Sequence, residues 1–352
     1  MPFTITQQPA TLNLSGNLPD VLITSADKIT TELLINGATV LVEEYYPDSD
    51  GKIIIELKDL INSLLYATLP PPTLSIFTQQ KANANCVLKI NNTEASISFR
   101  VVKGGLDSQL FNTVQWLQTN FLTWQPQVKM VKYYDPEWLT YYAVEGGLKV
   151  MVKGYFANNT SQIIELVALT FQQTQSITTN PGTIQSKFAQ TIIGYDIWVA
   201  SATVKYSFTQ RYLIVDNYQE HDHLFVFENN LAGIDTIRFT GDLTAKPDIK
   251  TDSAYFLDEN LEYGFTVKSA FTKNTGYFKS DREKVFALEF FKSINKYITA
   301  NGEFKRISVQ KATLNSQLAD LNAFTFDFIY SKETQYLNIP RPNILPQNLS
   351  FS

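Results

Sequence analysis

Two β-type runs, TTELLI and ATVLVEEYY, meet at Asn36-Gly37. A two-residue hairpin turn of the I′ type needs positive φ at both central positions, which Asn and Gly adopt at little cost, so this pair fixes an antiparallel hairpin. The same punctuation recurs along the chain. DVLIT precedes the hairpin, and PDSDG separates it from KIIIEL. A chain cut this often into short runs rich in Val, Ile, Thr, Tyr and Phe is predicted to be mainly β, with few helices.

At 352 residues the chain has room for two or three cores. Residues 1–102 read as an immunoglobulin-like β-sandwich with one short helix. The helix is LKDLINSLLYATL, with apolar positions at 57, 60, 61, 64 and 65, ended by prolines at 70 to 72. Cys86, the single cysteine, alternates with its neighbours in NANCVLKI and reads as a small buried apolar residue. Residues 103–219 begin with a less periodic link containing Trp116 and Trp124, then give long strand candidates such as WLTYYAV, LKVMVKGYF and FAQTIIGYDIWVAS, the pattern of a long-stranded antiparallel sandwich. Residues 220–336 read as an α+β unit. Its helix is placed near 281–298, with Ser280 and Glu283 as a capping box ahead of Phe286, Phe290 and Ile294. FTFDFIYS puts Phe324, Phe326, Phe328 and Tyr330 on one face, a stripe read as core. The proline-containing tail, 337–352, has no periodicity and reads as disordered or as an arm that docks on a neighbour.

Net charge is −5, and no dense Lys/Arg cluster interleaves with aromatics, so nucleic acid is not the expected partner. The opening MPFTITQQPATLNLSGN is polar and broken by prolines, so no export leader and a cytoplasmic site of synthesis are expected. No apolar run approaches the ~18 residues of a membrane span. Phosphate loops, HExxH, GxSxG and dinucleotide fingerprints are absent from the sequence, and neither a catalytic residue nor a cofactor is expected.

Three local constellations have chemical readings. His221 and His223 are the only histidines; on one strand they would project to one face, as in some zinc sites, with Glu228, Asp235 or Asp242 as the missing third ligand. The competing reading makes EHDHLFVFENNLAGIDT a strand and turn that open the third unit, with the histidines incidental. Asp135 and Glu137 form a close carboxylate pair of the type that serves glycoside hydrolysis, although pairs this near in sequence usually sit on a turn. Trp124, Tyr133, Tyr134, Trp138, Tyr141 and Tyr142 could form a ligand or partner surface, stacking on sugars, with strand alternation turning about half of them inward. PDSDG reads as a hairpin turn rather than a calcium loop.

The stretch FVFENNLAGIDTIRFTGD, together with LNLSGN, YYPDSDGKIIIEL and PEWLTYY, resembles uncharacterised proteins of Bacteroidetes phage and prophage tail-like gene clusters. The resemblance implies a phage-tail, baseplate or tail-like particle component, and carries no catalytic residue with it. The expectation is therefore a non-enzymatic structural protein whose partners are itself or other virion-type proteins, joined through exposed strand edges and the proline-containing arm. A carbohydrate-binding or adhesive module is the alternative, and a metal-dependent hydrolase at His221 and His223 the third reading.

Overall fold

The hairpin forms at the residues that encode it. Asn36 and Gly37 take φ of 51° and 84°, and the strands Ile29–Ile35 and Ala38–Tyr45 pair antiparallel around them. The computed structural model describes residues 3–71, 73–107, 112–216, 221–300, 302–313 and 323–332; the proline-containing tail lies outside the described residues.

The fold is mainly β, built on five sheets. In the first unit a three-stranded sheet (Phe3–Gln7, Val21–Ser25, Lys52–Ile55) faces a five-stranded one (Leu12–Leu14, Ala95–Val102, Asn83–Ile90, Ile29–Ile35, Ala38–Tyr45). The alternating residues Ile23, Ile53, Ile55, Leu33, Leu88 and Phe99 fill the space between them. Cys86 is buried in that core, where burial pushes its thiol up to about 12. The short helix Lys58–Leu64 closes one end with Ile61. PDSDG is a turn: the Asp48 side chain accepts from the backbone N–H groups of Asp50 and Lys52.

The second unit pairs a five-stranded sheet (Val128–Val131, Gln210–Ile214, Ile192–Ala200, Lys149–Phe156, Ser161–Ala168) with a three-stranded one (Trp138–Tyr142, Thr174–Thr178, Ile76–Thr78). The last of these strands comes from before residue 103. The link from residue 65 to 82 leaves the first sandwich, adds Ile76–Thr78 to the second, and returns, so the two units share a sheet across the boundary drawn at 102/103. Residues 161–178 supply two strands, Ser161–Ala168 and Thr174–Thr178, which belong to opposite sheets, with Gln172 at φ 58° in the turn between them.

The third unit is one seven-stranded antiparallel sheet: Ile234–Phe239, His223–Glu228, Lys296–Ala300, Glu303–Thr313, Thr325–Tyr330, Glu259–Asn274 and Leu243–Phe256. The helix Asp281–Lys292 packs on it. Ser280 caps the helix, its side chain accepting from the Glu283 N–H at 3.2 Å, while the Glu283 carboxylate accepts from the Lys279 N–H at 2.8 Å. The helix ends at Lys292, earlier than the predicted 298, because residues 296–300 pair as a strand with Glu303–Thr313. Ile294 therefore falls past the helix and is 86% exposed, whereas Phe286 and Phe290 are buried. Phe290 is the centre of the core, with ring centroids of Phe225, Phe227, Phe239 and Phe326 at 5.4, 5.7, 5.3 and 5.7 Å. Phe324, Phe326 and Phe328 complete this core, as the stripe predicts.

Large-to-small changes in such a core remove burial and leave a cavity. Phe290→Ala is expected to destabilise the protein by ~3–5 kcal/mol, whereas Ile294→Ala changes stability by less than ~0.5 kcal/mol, as read by chemical denaturation of the two variants.

Candidate functional site

The strand Trp138–Tyr142 is buried at every position. Leu139 and Tyr141 point into the second core, while Trp138 packs with Ala67, Val226 and Ile234, and Tyr142 with Leu14, Leu122 and Leu231. Both faces of this strand are covered, one by its own sandwich and one by the first and third units. This removes Trp138, Tyr141 and Tyr142 from the candidate aromatic surface, because they are internal. Trp124, Tyr133 and Tyr134 are exposed, but Trp124 donates its indole N–H to Asn230 and tilts against Trp116, and Tyr133 and Tyr134 meet edge to face at 5.0 Å.

The carboxylate pair lies on the seam between the second and third units, in a cleft of about 380 Å³. Lys129 Nζ reaches Glu137 at 2.8 Å and the Thr236 carbonyl at 2.8 Å, and the Thr236 hydroxyl donates to Glu137. Asp135 pairs with Arg238, and Lys132 with Asp222 at 2.6 Å. Burial pushes Glu137 above the ordinary carboxylate range, with Lys129 beside it pulling the other way. Asp135 is thus held across the seam by Arg238 and Glu137 by the Thr236 hydroxyl, while Lys129 pairs with Glu137 from within the second unit, an arrangement suited to joining two units.

The turn NNLAGID docks on the same seam. Asn229 donates its side-chain amide to the Leu122 carbonyl at 2.9 Å and to Asp235 at 2.6 Å, and Thr123 donates its hydroxyl to Asp235 at 2.6 Å. Gly233 sits so close to the Leu122 carbonyl that a Cβ there would lie 1.8 Å from the oxygen, so only glycine fits. Glu228 accepts from the Ala67 N–H and from Asn295.

His221 and His223 do not form a metal site with these carboxylates. His223 Nδ1 lies 2.9 Å from the His221 carbonyl and 3.2 Å from Lys273 Nζ, so a lysine stands where a metal would approach that nitrogen. Burial, then Lys273, lowers the His223 pKa, and burial lowers that of Lys273 to about 8. His221 is half exposed, with Asp242 4.0 Å from Nε2; Glu228 and Asp235 lie elsewhere. Among the described residues no three His, Cys, Asp or Glu side chains converge on a common point, and no helix is long and apolar enough to cross a membrane.

The third unit also exposes apolar surface. Strands Leu243–Phe256 and Glu259–Asn274 form one long hairpin. Thr325–Tyr330 pairs with residues 270–274 of its inner strand, so among the described residues the hairpin is a two-stranded ribbon from Ser269 outward. At ~3.4 Å per residue it projects about 35 Å. Cross-strand partners share a face, so Ala245, Pro247, Ile249 and Thr251 line up in that order with Phe271, Ser269, Val267 and Phe265. Phe271 stacks on Phe328 at 5.1 Å, which makes this face a continuation of the core side of the sheet, running out beyond the described residues that cover it. Ile249 is 63% exposed and Phe265 53%, and at the tip Tyr255, Phe256 and Leu257 are 81%, 64% and 82% exposed. Leu257 and Asp258 both adopt positive φ, 49° and 64°, the conformation Asn-Gly supplies at residue 36 without strain.

No family model matches the chain, and no curated protein matches it.

Asp235 links the seam to pH. Burial pushes its carboxyl from 3.8 to about 6 against the pull of Asn229 and Thr123. An acid with a raised pKa in the folded state stabilises that state most below its unfolded value, and the contribution is lost as pH rises through about 6. Asp235→Asn, which keeps a hydrogen-bonding amide in place, is expected to gain stability relative to wild type between pH 4 and pH 7, by on the order of 3 kcal/mol, in denaturation curves recorded at the two pH values.

Proposed function

We propose that the chain is a non-enzymatic assembly protein that joins copies of itself, or other structural proteins, through the ribbon 243–274, within a particle of the phage-tail or tail-like kind that the sequence resemblance implies. The observation that carries this reading is the uncovered apolar face of the ribbon. A two-stranded ribbon is marginal in water on its own, and contiguous exposed apolar surface of this kind marks a contact with another molecule. The tip supports the same reading: a leucine held at positive φ and 82% exposed costs local stability and gives no packing within its own chain. Free strand edges at Ala38–Tyr45 and Ser161–Ala168 offer further backbone groups for a neighbour to pair with. The carbohydrate or adhesive alternative loses support from the burial of Trp138, Tyr141 and Tyr142.

The test replaces residues 249–267 with an Asn-Gly turn, joining Asp248 to its cross-strand partner Lys268. Light scattering coupled to size exclusion is expected to show oligomers that grow with concentration for the full chain, and a folded monomer for the shortened one. Equal masses for the two proteins at every concentration would refute the role of the ribbon.

A further inference from the structure

The ribbon needs a receiving surface, and the outer face of the five-stranded sheet in the second unit has the complementary character. Tyr155 and Trp198 lie on that face, alternating with the buried Tyr195, Ile197 and Val199, and both rings carry cations. Lys153 Nζ is 5.1 Å and the Arg211 guanidinium 5.4 Å from the Tyr155 centroid, and Lys205 is 5.7 Å from that of Trp198. Arg211 is fixed there by Asp196, at 2.7 and 2.8 Å, and Asp196 also accepts from the Tyr155 hydroxyl at 2.7 Å. Gly194 stands opposite Tyr155 in the ladder and leaves the floor of the face low. Around these rings Met130 and Ile163 are 56% and 55% exposed. With Lys149 and Glu165 the face carries four cations against two carboxylates.

The distal ribbon is the opposite case. Between residues 252 and 263 it carries Asp252, Asp258, Glu259 and Glu262 and no lysine or arginine, interleaved with Tyr255, Phe256, Leu257, Leu261 and Tyr263. All of these side chains are exposed, so no described residue of the chain packs over the distal ribbon. Aromatic and aliphatic side chains bearing carboxylates match a face of aromatic rings and cations, both by apolar contact and by charge.

We propose that the ribbon of one copy lies across the outer face of the five-stranded sheet of a second copy, its acidic aromatic tip seated against Tyr155, Trp198 and the cations over them. The inference rests on the assembly role proposed above and names its partner surface. Because ribbon and receiving face are different patches of the same chain, the contact is head-to-tail: it generates a ring if the rotation closes and a filament if it does not.

Charge exchange tests it. One variant of the full chain carries Lys153→Glu and Lys205→Glu on the receiving face, a second carries Glu259→Lys and Glu262→Lys on the tip, and a third carries all four. Self-association is measured by analytical ultracentrifugation, with circular dichroism as the check on folding. Each pair alone is expected to weaken association by about tenfold or more, and the four together to recover most of it. Because the contact is heterologous, mixing the first two variants is also expected to give complexes that neither forms alone. If the wild type assembles and shortening the ribbon abolishes this, but the face charges have no effect or no rescue occurs, the receiving face is refuted while the assembly role stands. A wild type that is monomeric at all concentrations overturns both.

Discussion

The double burial of the strand Trp138–Tyr142 holds the molecule together. A strand at a sheet surface ordinarily has one wet side. Here Leu139 and Tyr141 fill the second core, and Trp138 and Tyr142 are taken up by side chains of the first and third units, including Leu14, Val226 and Leu231. The flanking polar groups follow from this. The polar groups on the seam meet partners across it: Asp135 pairs with Arg238, Lys132 with Asp222, and Thr236 bonds both Lys129 and Glu137. Ile76–Thr78 ties the first two units by a second route, contributing an edge strand to a sheet it does not precede directly in sequence.

The bonds that cross the seam tie the third unit to the second, and the third unit presents the ribbon. The helix Asp281–Lys292 covers the sheet at Phe225, Phe227, Phe239 and Phe326. The core face nevertheless continues through Phe271 to Val267 and Phe265, with no layer of described residues above it. Ordinary sheets end where their cover ends; this one runs on for about 35 Å at ~3.4 Å per residue. Such a design is unfavourable for an isolated chain and favourable for one whose missing layer is supplied by a neighbour.

Local chemistry made some of this legible before any coordinates. Asn36-Gly37 announces its hairpin, and Ser280 with Glu283 announces the start of the helix, because both signals act within a few residues. The aromatic stripe 324–330 is likewise visible, since alternation over one strand needs only one covered face. The limits are set by tertiary context. Alternation turns about half of the six aromatics inward, and Trp138, Tyr141 and Tyr142 are buried; that the adjacent Tyr141 and Tyr142 are both covered, on opposite faces of one strand, needs a second layer that alternation does not show. The helix end at Lys292 is decided by the pairing of residues 296–300 with a later strand. The ribbon escapes notice because its turn, Leu257-Asp258, takes positive φ without a single glycine or asparagine at its centre. In the histidine stretch the decisive neighbour, Lys273, is 50 residues away in sequence.

The central claim is that the apolar face of the ribbon becomes covered when copies meet. Amide hydrogen exchange resolved along residues 249–267, recorded over a wide range of protein concentration, addresses it directly. The account predicts fast exchange in dilute solution and protection that grows with concentration in this segment, while the amides of Trp138–Tyr142 stay protected throughout. Exchange in the ribbon that stays fast at every concentration would contradict it.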